Sequence, residues 1–270
     1  MRPAFALAQL TALHCNPPQM IDLAASAGYD HAGLRLLPVA PGAVAYALMD
    51  DPALLRETLA RMADTGVSVF DLELIRLNAD FDPATFEAFF EVGARLGAKA
   101  VLVAGDDPEP ARLVANYARL CDAMQPYGLT ADLEFMPWTA VPDLDTALQI
   151  VNQADRANAG ILVDSLHFDR SASRLDQLAS IPAQWLHYAQ LCDGPAERPS
   201  TTEALIHAAR CERLLPGEGG IDLKAIWQQL PAQLPVSVEI PNDRRVAQMG
   251  VHAWAKAALQ AAQATLITPP

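Results

Sequence analysis

Short apolar runs alternate with amphipathic segments along the whole chain. The runs have the length and residue types of buried β-strands, and the segments carry apolar residues at helical spacing, as with Leu54, Leu55, Leu59 and Met62. Strands are predicted at residues 5–10, 32–37, 68–75, 100–104, 130–136, 160–164, 186–192 and 236–240. Helices are predicted at residues 17–27, 52–65, 83–96, 110–126, 144–153 and 223–230.

The order of these elements predicts an α/β fold. Eight strand–helix units in succession favour a single (β/α)8 TIM barrel, and the length of 270 residues suits one such domain over 1–270. The alternative, a doubly wound open sheet, lacks support because no glycine-rich fingerprint follows the first strand. The connection over residues 193–235 is expected to be an irregular loop until a helix begins near Asp222.

Polar residues interrupt strands that should be almost wholly apolar in a parallel barrel. Alternation puts Glu134 on the inner face of the fifth strand, near its carboxyl end. The same pattern places Asp164, Gln190 and Glu239 at the ends of the sixth, seventh and eighth strands. Since the carboxyl ends of barrel strands form the catalytic face, these four side chains are expected to converge there.

Three carboxylates in one pocket repel one another unless a cation compensates them. Glu134, Asp164, Gln190 and Glu239 offer only oxygen ligands, so we expect one divalent metal, with Mn²⁺ first and Mg²⁺ or Co²⁺ as alternatives. The competing interpretation is that each acid caps a helix or pairs with a nearby arginine.

Composition and charge limit the classes of binding partner and the cellular location that we expect. The formal charge of −13, from 19 basic and 32 acidic residues, argues against nucleic acid. No apolar run reaches the 18 residues or so of a membrane span. Four scattered cysteines without a C-x-x-C pair suit reduced thiols, so a cytoplasmic location is expected.

Five stretches of the C-terminal half carry a family resemblance. They lie at residues 133–135, 163–167, 189–193, 216–223 and 237–240, and the most specific one begins Pro216-Gly217-Glu218-Gly219. In these stretches the sequence resembles the xylose-isomerase-like barrel superfamily of sugar (phosphate) isomerases and epimerases. The resemblance implies that Glu134, Asp164, Gln190 and Glu239 bind one divalent metal.

The resemblance also implies roles in catalysis. Glu134 and Glu239 would exchange a substrate proton, and His167 would contact the substrate. Gln190 stands where many epimerases carry His, which favours the hydroxypyruvate-isomerase-like or inosose-dehydratase-like branch. Ala140 occupies the place of a second Glu in ketose 3-epimerases, so that activity is disfavoured.

Other polar and aromatic residues are candidates for the pocket. Arg35 points inward and is expected either to pair with Glu73 or Asp71 or to clamp the substrate, with Glu73 beside it. Trp138 follows Glu134 and either forms a pocket wall or packs in the core. Asp193 is expected to support Gln190 or the loop, and Glu218 to order the loop or shape the pocket.

Arginines in the C-terminal-side loops form a second group of candidates. Each either holds a substrate carboxylate or phosphate or lies solvated at the surface, and Arg170 is the one assigned to substrate binding. The group comprises Arg170, Arg210, Arg213, Arg244 and Arg245.

These inferences predict a metal-dependent isomerase or epimerase of a small sugar, sugar phosphate or keto-polyol. Glu134 and Glu239 would move the proton through an enediolate. One alternative is a dehydratase acting on a keto-polyol or a dehydroshikimate-like compound. Another is a non-catalytic barrel that binds a sugar-like ligand. The resemblance adds a homodimer or homotetramer as the expected assembly.

Overall fold

Eight parallel strands pair in sequence order and close into a barrel, because the first strand pairs with the eighth. The structure is a computed structural model that describes residues 2–267; Met1 and residues 268–270 of the predicted domain lie outside the described residues. The strands are β1 (Phe5–Leu7), β2 (His31–Arg35), β3 (Ser68–Leu77), β4 (Ala100–Gly105), β5 (Thr130–Glu134), β6 (Ala159–Asp164), β7 (Ala189–Leu191) and β8 (Val236–Val238). The predicted (β/α)8 fold is confirmed.

Helices surround the barrel and cover the outer, apolar face of the strands. They are α1 (Pro17–Ala27), α2 (Pro52–Thr65), α3 (Glu87–Leu96), α4 (Pro110–Met124), α5 (Leu144–Ala154), α6 (Ser165–Arg170), α7 (Leu175–Leu178), α8 (Thr202–Cys211), α9 (Leu223–Gln228), α10 (Asp243–Met249) and α11 (Val251–Ile267). None of the helices within residues 2–267 combines the length and apolarity that crossing a membrane requires.

Local sequence signals explain where the first helices begin and end. The Asn16 side chain accepts a hydrogen bond from the backbone amide of Gln19, and the Gln19 side chain accepts one from the Asn16 amide, which closes a capping box at α1. Gly28 ends α1 with φ +94, a left-handed conformation that glycine adopts without strain. Both predicted ends of α1 are therefore those of the structure.

The expectation of an irregular loop after Asp193 is wrong in part. Helix α8 occupies Thr202–Cys211 within this connection, and the Thr201 side chain caps it by accepting a hydrogen bond from the Ala204 amide. Ala209 is its one fully buried residue, so the segment lacks the broad apolar stripe by which a packed helix is recognised in sequence.

Candidate metal and active site

The carboxyl ends of β5 to β8 place the four predicted ligands at one end of the barrel. Glu134 is the last residue of β5, Asp164 the last of β6, Gln190 lies within β7 and Glu239 follows β8 directly. Asp164 pairs in register with Gln190, and all four side chains are buried, with Glu134 and Glu239 each 4% exposed.

The contacts of these side chains involve the ends of four strands, β5 to β8, and helix α6. The Gln190 Nε2 group donates a hydrogen bond to Glu239 Oε1 at 3.2 Å. Asp164 Oδ1 accepts from the backbone amides of Leu166 and His167 at 2.7 and 3.1 Å, and so caps α6. This cap brings His167 over the site, where its Nε2 lies 3.7 Å from Glu134 Oε1.

Arg213 is the central residue that the sequence did not place. Its Nη1 donates to Asp164 Oδ2 at 2.5 Å and its Nη2 lies 2.8 Å from Glu239 Oε2, with the side chain 2% exposed. The Nε group donates to the carbonyl of Ala209 in the last turn of α8. A solvated position for this arginine is therefore wrong, and the direction of α8 is what turns it inward.

Part of the competing interpretation holds at Asp164, because this acid both caps a helix and pairs with an arginine. The single guanidinium of Arg213 is nevertheless too little positive charge to neutralise the predicted ligands. Glu134, Asp164 and Glu239 would together carry three negative charges against the single positive charge of Arg213.

The pKa values reflect this crowding. Burial raises the pKa of Glu134 well above its ordinary value, and the charges of Asp164 and Glu239 raise it further. Burial also raises the pKa of Glu239, against the lowering effect of Arg213, to about 7. Burial would raise the pKa of Asp164 too, but Arg213 and His167 bring it below its ordinary value. Burial lowers the pKa of His167 to about 4, so its imidazole is neutral at pH 7.

A divalent cation fits this donor set. Glu134 Oε1 and Gln190 Oε1 are buried acceptors with no hydrogen-bond partner among residues 2–267. Single ligand atoms of Glu134, Asp164 and His167 lie within 4.8 Å of one another, which is close enough to hold one ion. The residues that would hold it are Glu134, Asp164, Gln190 and Glu239, with His167 beside them.

A cavity of about 280 Å³ opens above the site. Glu134, Glu239 and His167 lie in its lining, and Trp138 packs edge-on against His167 with ring centroids 5.0 Å apart. Much of the remaining wall is apolar and includes Leu10, Val39, Val44, Leu74, Leu102 and Met136. Trp138 therefore does form part of the pocket wall.

The inward-pointing residues of β2 and β3 form one ion pair. Arg35 Nε donates to Glu73 Oε2 at 2.8 Å, with both side chains buried, and Arg35 also lines the cavity. Glu73 lies behind Arg35 and is absent from the cavity lining. Neither carboxylate oxygen of Asp71 has a hydrogen-bond partner in the described part of the chain, so the pairing choice falls on Glu73.

Arg170 lies away from this cavity. Its guanidinium contacts the Asp169 carboxylate and the carbonyl of Pro195, and the residue lines a separate cavity of about 180 Å³. The structure thus gives no support to the predicted role of Arg170 in binding the substrate.

Asp193 supports the loop and not Gln190. Its carboxylate accepts hydrogen bonds from the amides of Gly217, Gly219 and Ile221, which fixes the Pro-Gly-Glu-Gly segment. Glu218 points outward from the same loop and pairs with Arg245 at 2.8 Å. Of the two roles considered for Glu218, this position fits ordering of the loop.

Three more basic residues line the cavity, and one of them, Arg210, belongs to the loop arginines considered for substrate binding. His14 follows β1, Arg76 lies one residue before the end of β3, and Arg210 lies in the last turn of α8. Alternation from Asp71 and Glu73 predicts an outward Arg76, but the register shift in β3 between Leu72 and Ile75 brings Arg76 to the cavity instead.

A sequence profile of the xylose isomerase-like TIM barrel family matches residues 21–265. The chain belongs to this family. The resemblance found in the sequence is thereby confirmed over most of the chain.

Relatives within the xylose isomerase-like family include isomerases and a dehydratase. The chain is 28% identical to 3-dehydroshikimate dehydratase of Pseudomonas aeruginosa over 166 residues, which are 58% of this chain and 26% of that protein. It is 32% identical to inosose isomerase of Bacillus subtilis over 109 residues, which are 39% of this chain and 37% of that protein. The chain thus matches well under half the length of either relative.

A solved structure resembles the whole barrel. The crystal structure of IOLI protein with a bound zinc atom superposes with a TM-score of 0.82 at 21% identity, covering 97% of this chain and 98% of that one. At this identity the likeness establishes the shared fold.

Proposed function

We propose that this chain is a divalent-metal-dependent enzyme that transfers a proton at the carbon next to the carbonyl group of a small polyhydroxy compound. The observation that carries the proposal is the pair Glu134 and Glu239, two buried carboxyl groups with raised pKa values that line one cavity beside the acceptor Gln190 Oε1.

The two glutamates suit opposite halves of a proton transfer. A general base works best when its pKa lies near the working pH, and that of Glu239 is about 7. Glu134 lies on a different strand of the same cavity, so one group removes a proton from carbon while the other returns it. When bound, a divalent cation supplies positive charge beside the carbonyl and so acidifies the neighbouring C–H bond.

Isomerisation or epimerisation is the first outcome of this chemistry, and the similarity to inosose isomerase supports it. Dehydration is the second, in which loss of a β-hydroxyl replaces proton return to carbon. The similarity to 3-dehydroshikimate dehydratase over 58% of this chain favours the second outcome, as does Ala140 at the place of an epimerase glutamate.

The donor set also bears on the metal and the location. Carboxylate and carboxamide oxygens favour Mn²⁺, with Mg²⁺ or Co²⁺ as alternatives, while the zinc bound by the IOLI structure makes Zn²⁺ a fourth ion to test. We further propose a cytoplasmic location, which the free thiols of Cys15, Cys121, Cys192 and Cys211 support.

Metal content tests the first part of the proposal. The purified protein, dialysed against Mn²⁺, Mg²⁺, Co²⁺ or Zn²⁺, is expected to retain about one ion per chain by elemental analysis, and Glu134→Gln is expected to lose it. Glu218→Gln is the matched control, because this exposed carboxylate has Arg245 as its one ion-pair partner within residues 2–267. Equal metal content in all three proteins would contradict the proposal.

The reaction itself is tested in D₂O with an inosose and with 3-dehydroshikimate, followed by proton NMR. Deuterium in the recovered substrate indicates isomerase chemistry, whereas loss of water and a new conjugated product indicate dehydration. A ligand that binds without either change would indicate the non-catalytic sugar-binding barrel.

A further inference from the structure

Two arginines on the cavity wall stand apart from the carboxylate set. Arg76 is half-buried near the end of β3, and its guanidinium contacts the Asp106 carboxylate. Arg210 belongs to the last turn of α8, far from β3 in the sequence, and lines the same cavity. Strand and helix thus bring two guanidinium groups to one cavity of about 280 Å³, and the Asp106 carboxylate offsets the charge of Arg76 alone.

The two remaining cavity arginines pair with buried carboxylates of the barrel interior, whereas Asp106, the partner of Arg76, is partly exposed. Arg35 pairs with Glu73, and Arg213 pairs with Asp164 and Glu239. The guanidinium of Arg210, by contrast, has no hydrogen bond or ion pair with any group in residues 2–267. Asp243 also lines the cavity, but no ion pair within 4.0 Å joins it to Arg210.

Arg76 and Arg210 are close enough to influence each other. Burial lowers the pKa of Arg76, and the positive charge of Arg210 lowers it further. Two guanidinium groups that face one small cavity with largely apolar walls repel each other, and an anion placed between them relieves this repulsion.

We propose that Arg76 and Arg210 form an anion-binding subsite, and that the substrate of this chain therefore carries an oxyanion group, a carboxylate or a phosphate. This inference rests on the proposed function, because the subsite lines the cavity of Glu134 and Glu239. Arginine binds both oxyanions through paired hydrogen bonds, and such contacts fix orientation as well as charge. The subsite would hold the anionic end of the substrate while its carbonyl end faces the glutamates.

A pair of ligands that differ only in charge tests the subsite. Shikimate and its methyl ester share a ring and its hydroxyl groups, and their dissociation constants are to be measured by calorimetry with the Mn²⁺-loaded protein. We expect shikimate to bind roughly tenfold or more tightly than the ester. Equal affinity for the two ligands would overturn the proposal.

Variants locate the effect. Arg210→Gln is expected to weaken shikimate binding roughly tenfold while leaving the ester unchanged. Arg244→Gln is the control, since Arg244 is exposed on α10 and lines a different cavity. If both variants weakened shikimate binding equally, the loss would reflect the overall charge of the protein and not a specific subsite, and the proposal would be overturned.

Arg76 needs two variants because it also pairs with Asp106. Arg76→Gln is expected to lose the preference for the acid, and Arg76→Lys to restore part of it by keeping the charge. Retention of the full preference by Arg76→Gln, in a protein whose thermal melting matches wild type, would remove Arg76 from the subsite.

Competition identifies the source of the anion. Displacement of shikimate by inorganic phosphate at lower concentration than by acetate assigns a phosphate, and the reverse order assigns a carboxylate. Repeating the acid–ester comparison without metal separates this inference from the proposed function. A charge preference in a protein that binds no metal leaves the subsite standing, whereas a metal-loaded protein without the preference leaves only the proposed function.

Discussion

Arg213 donates a hydrogen bond to Asp164 at 2.5 Å, and both side chains are almost wholly excluded from solvent. The arginine also contacts Glu239, so one cation holds the ends of β6 and β8 together. An intact buried ion pair adds little to the stability of the fold. Removal of one partner lowers that stability strongly, because it leaves an uncompensated charge in the interior.

Arg213→Met is therefore expected to lower the free energy of unfolding of the metal-free protein by about 3–5 kcal/mol. Added Mn²⁺ is expected to stabilise the variant more than wild type, because it restores positive charge. Urea denaturation with EDTA and with Mn²⁺ measures both effects. Arg245→Met, which removes a partly exposed pair with Glu218, is the control and should cost about 1 kcal/mol or less.

Metal affinity should depend on pH through Glu239. Burial, with further contributions from Glu73 and Asp164 and against the effect of Arg213, raises the pKa of Glu239 to about 7. Below pH 7 a metal must displace the proton, so the apparent dissociation constant for Mn²⁺ is expected to rise as the pH falls. Calorimetric titration between pH 6 and 8 measures this, and a slope shared by Glu239→Gln would contradict the assignment.

A second pH effect arises at the other end of the barrel. Nδ1 of His187 lies 2.7 Å from Asp132 Oδ1, and Asp132 is buried. Burial lowers the pKa of His187, but the hydrogen bond and charge of Asp132 raise it above 6.5 overall. The pair therefore stabilises the fold fully below pH about 6.5, and this stability is lost as the pH rises through the folded-state pKa.

Urea denaturation at several pH values should show this loss in wild type and not in His187→Gln. His207→Gln, which alters an exposed histidine beside Glu212, should keep the wild-type pH dependence. Parallel curves for wild type and His187→Gln would show that the Asp132 contact does not set the slope.

The loop that contains Gly217 and Gly219 depends on Asp193. Asp193→Ala leaves the amides of Gly217, Gly219 and Ile221 without their carboxylate partner, and is expected to cost about 1–3 kcal/mol. Hydrogen exchange of the loop amides should accelerate. Asp222→Ala removes only the cap of α9, so it should cost about 1 kcal/mol and leave those amides protected.

Local sequence signals were sufficient to predict helix ends and the residues on the inner face of the strands. Caps and end glycines fix α1 and α2, and the alternation of polar residues places Glu134 and Arg35 on the inner face. Alternation alone left both Asp71 and Glu73 as partners for Arg35. The choice depends on the β2–β3 register, in which Arg35 pairs with Glu73 across the strands.

Contacts between residues far apart in the sequence could not be predicted from such local signals. Arg213 reaches Asp164 and Glu239 only because α8 precedes it, and α8 is too exposed to show a strong apolar stripe. Arg76 and Arg210 are 134 positions apart in the numbering and share a cavity that only the closed barrel creates. The position of Arg213 depends on the course of the chain after α8, and that of Arg76 on the register shift in β3; local periodicity encodes neither.

Closure of the barrel also fixes when the site can form during synthesis. The first strand pairs with the eighth, and Thr11 Oγ1 both donates to the carbonyl of Val238 and accepts from the amide of Ile240. A nascent chain on the ribosome therefore exposes Glu134 and Asp164 long before Glu239 can join them. The four proposed ligands can come together only after residue 240 has left the exit tunnel, so a metal held by them would be bound late in the synthesis of the chain.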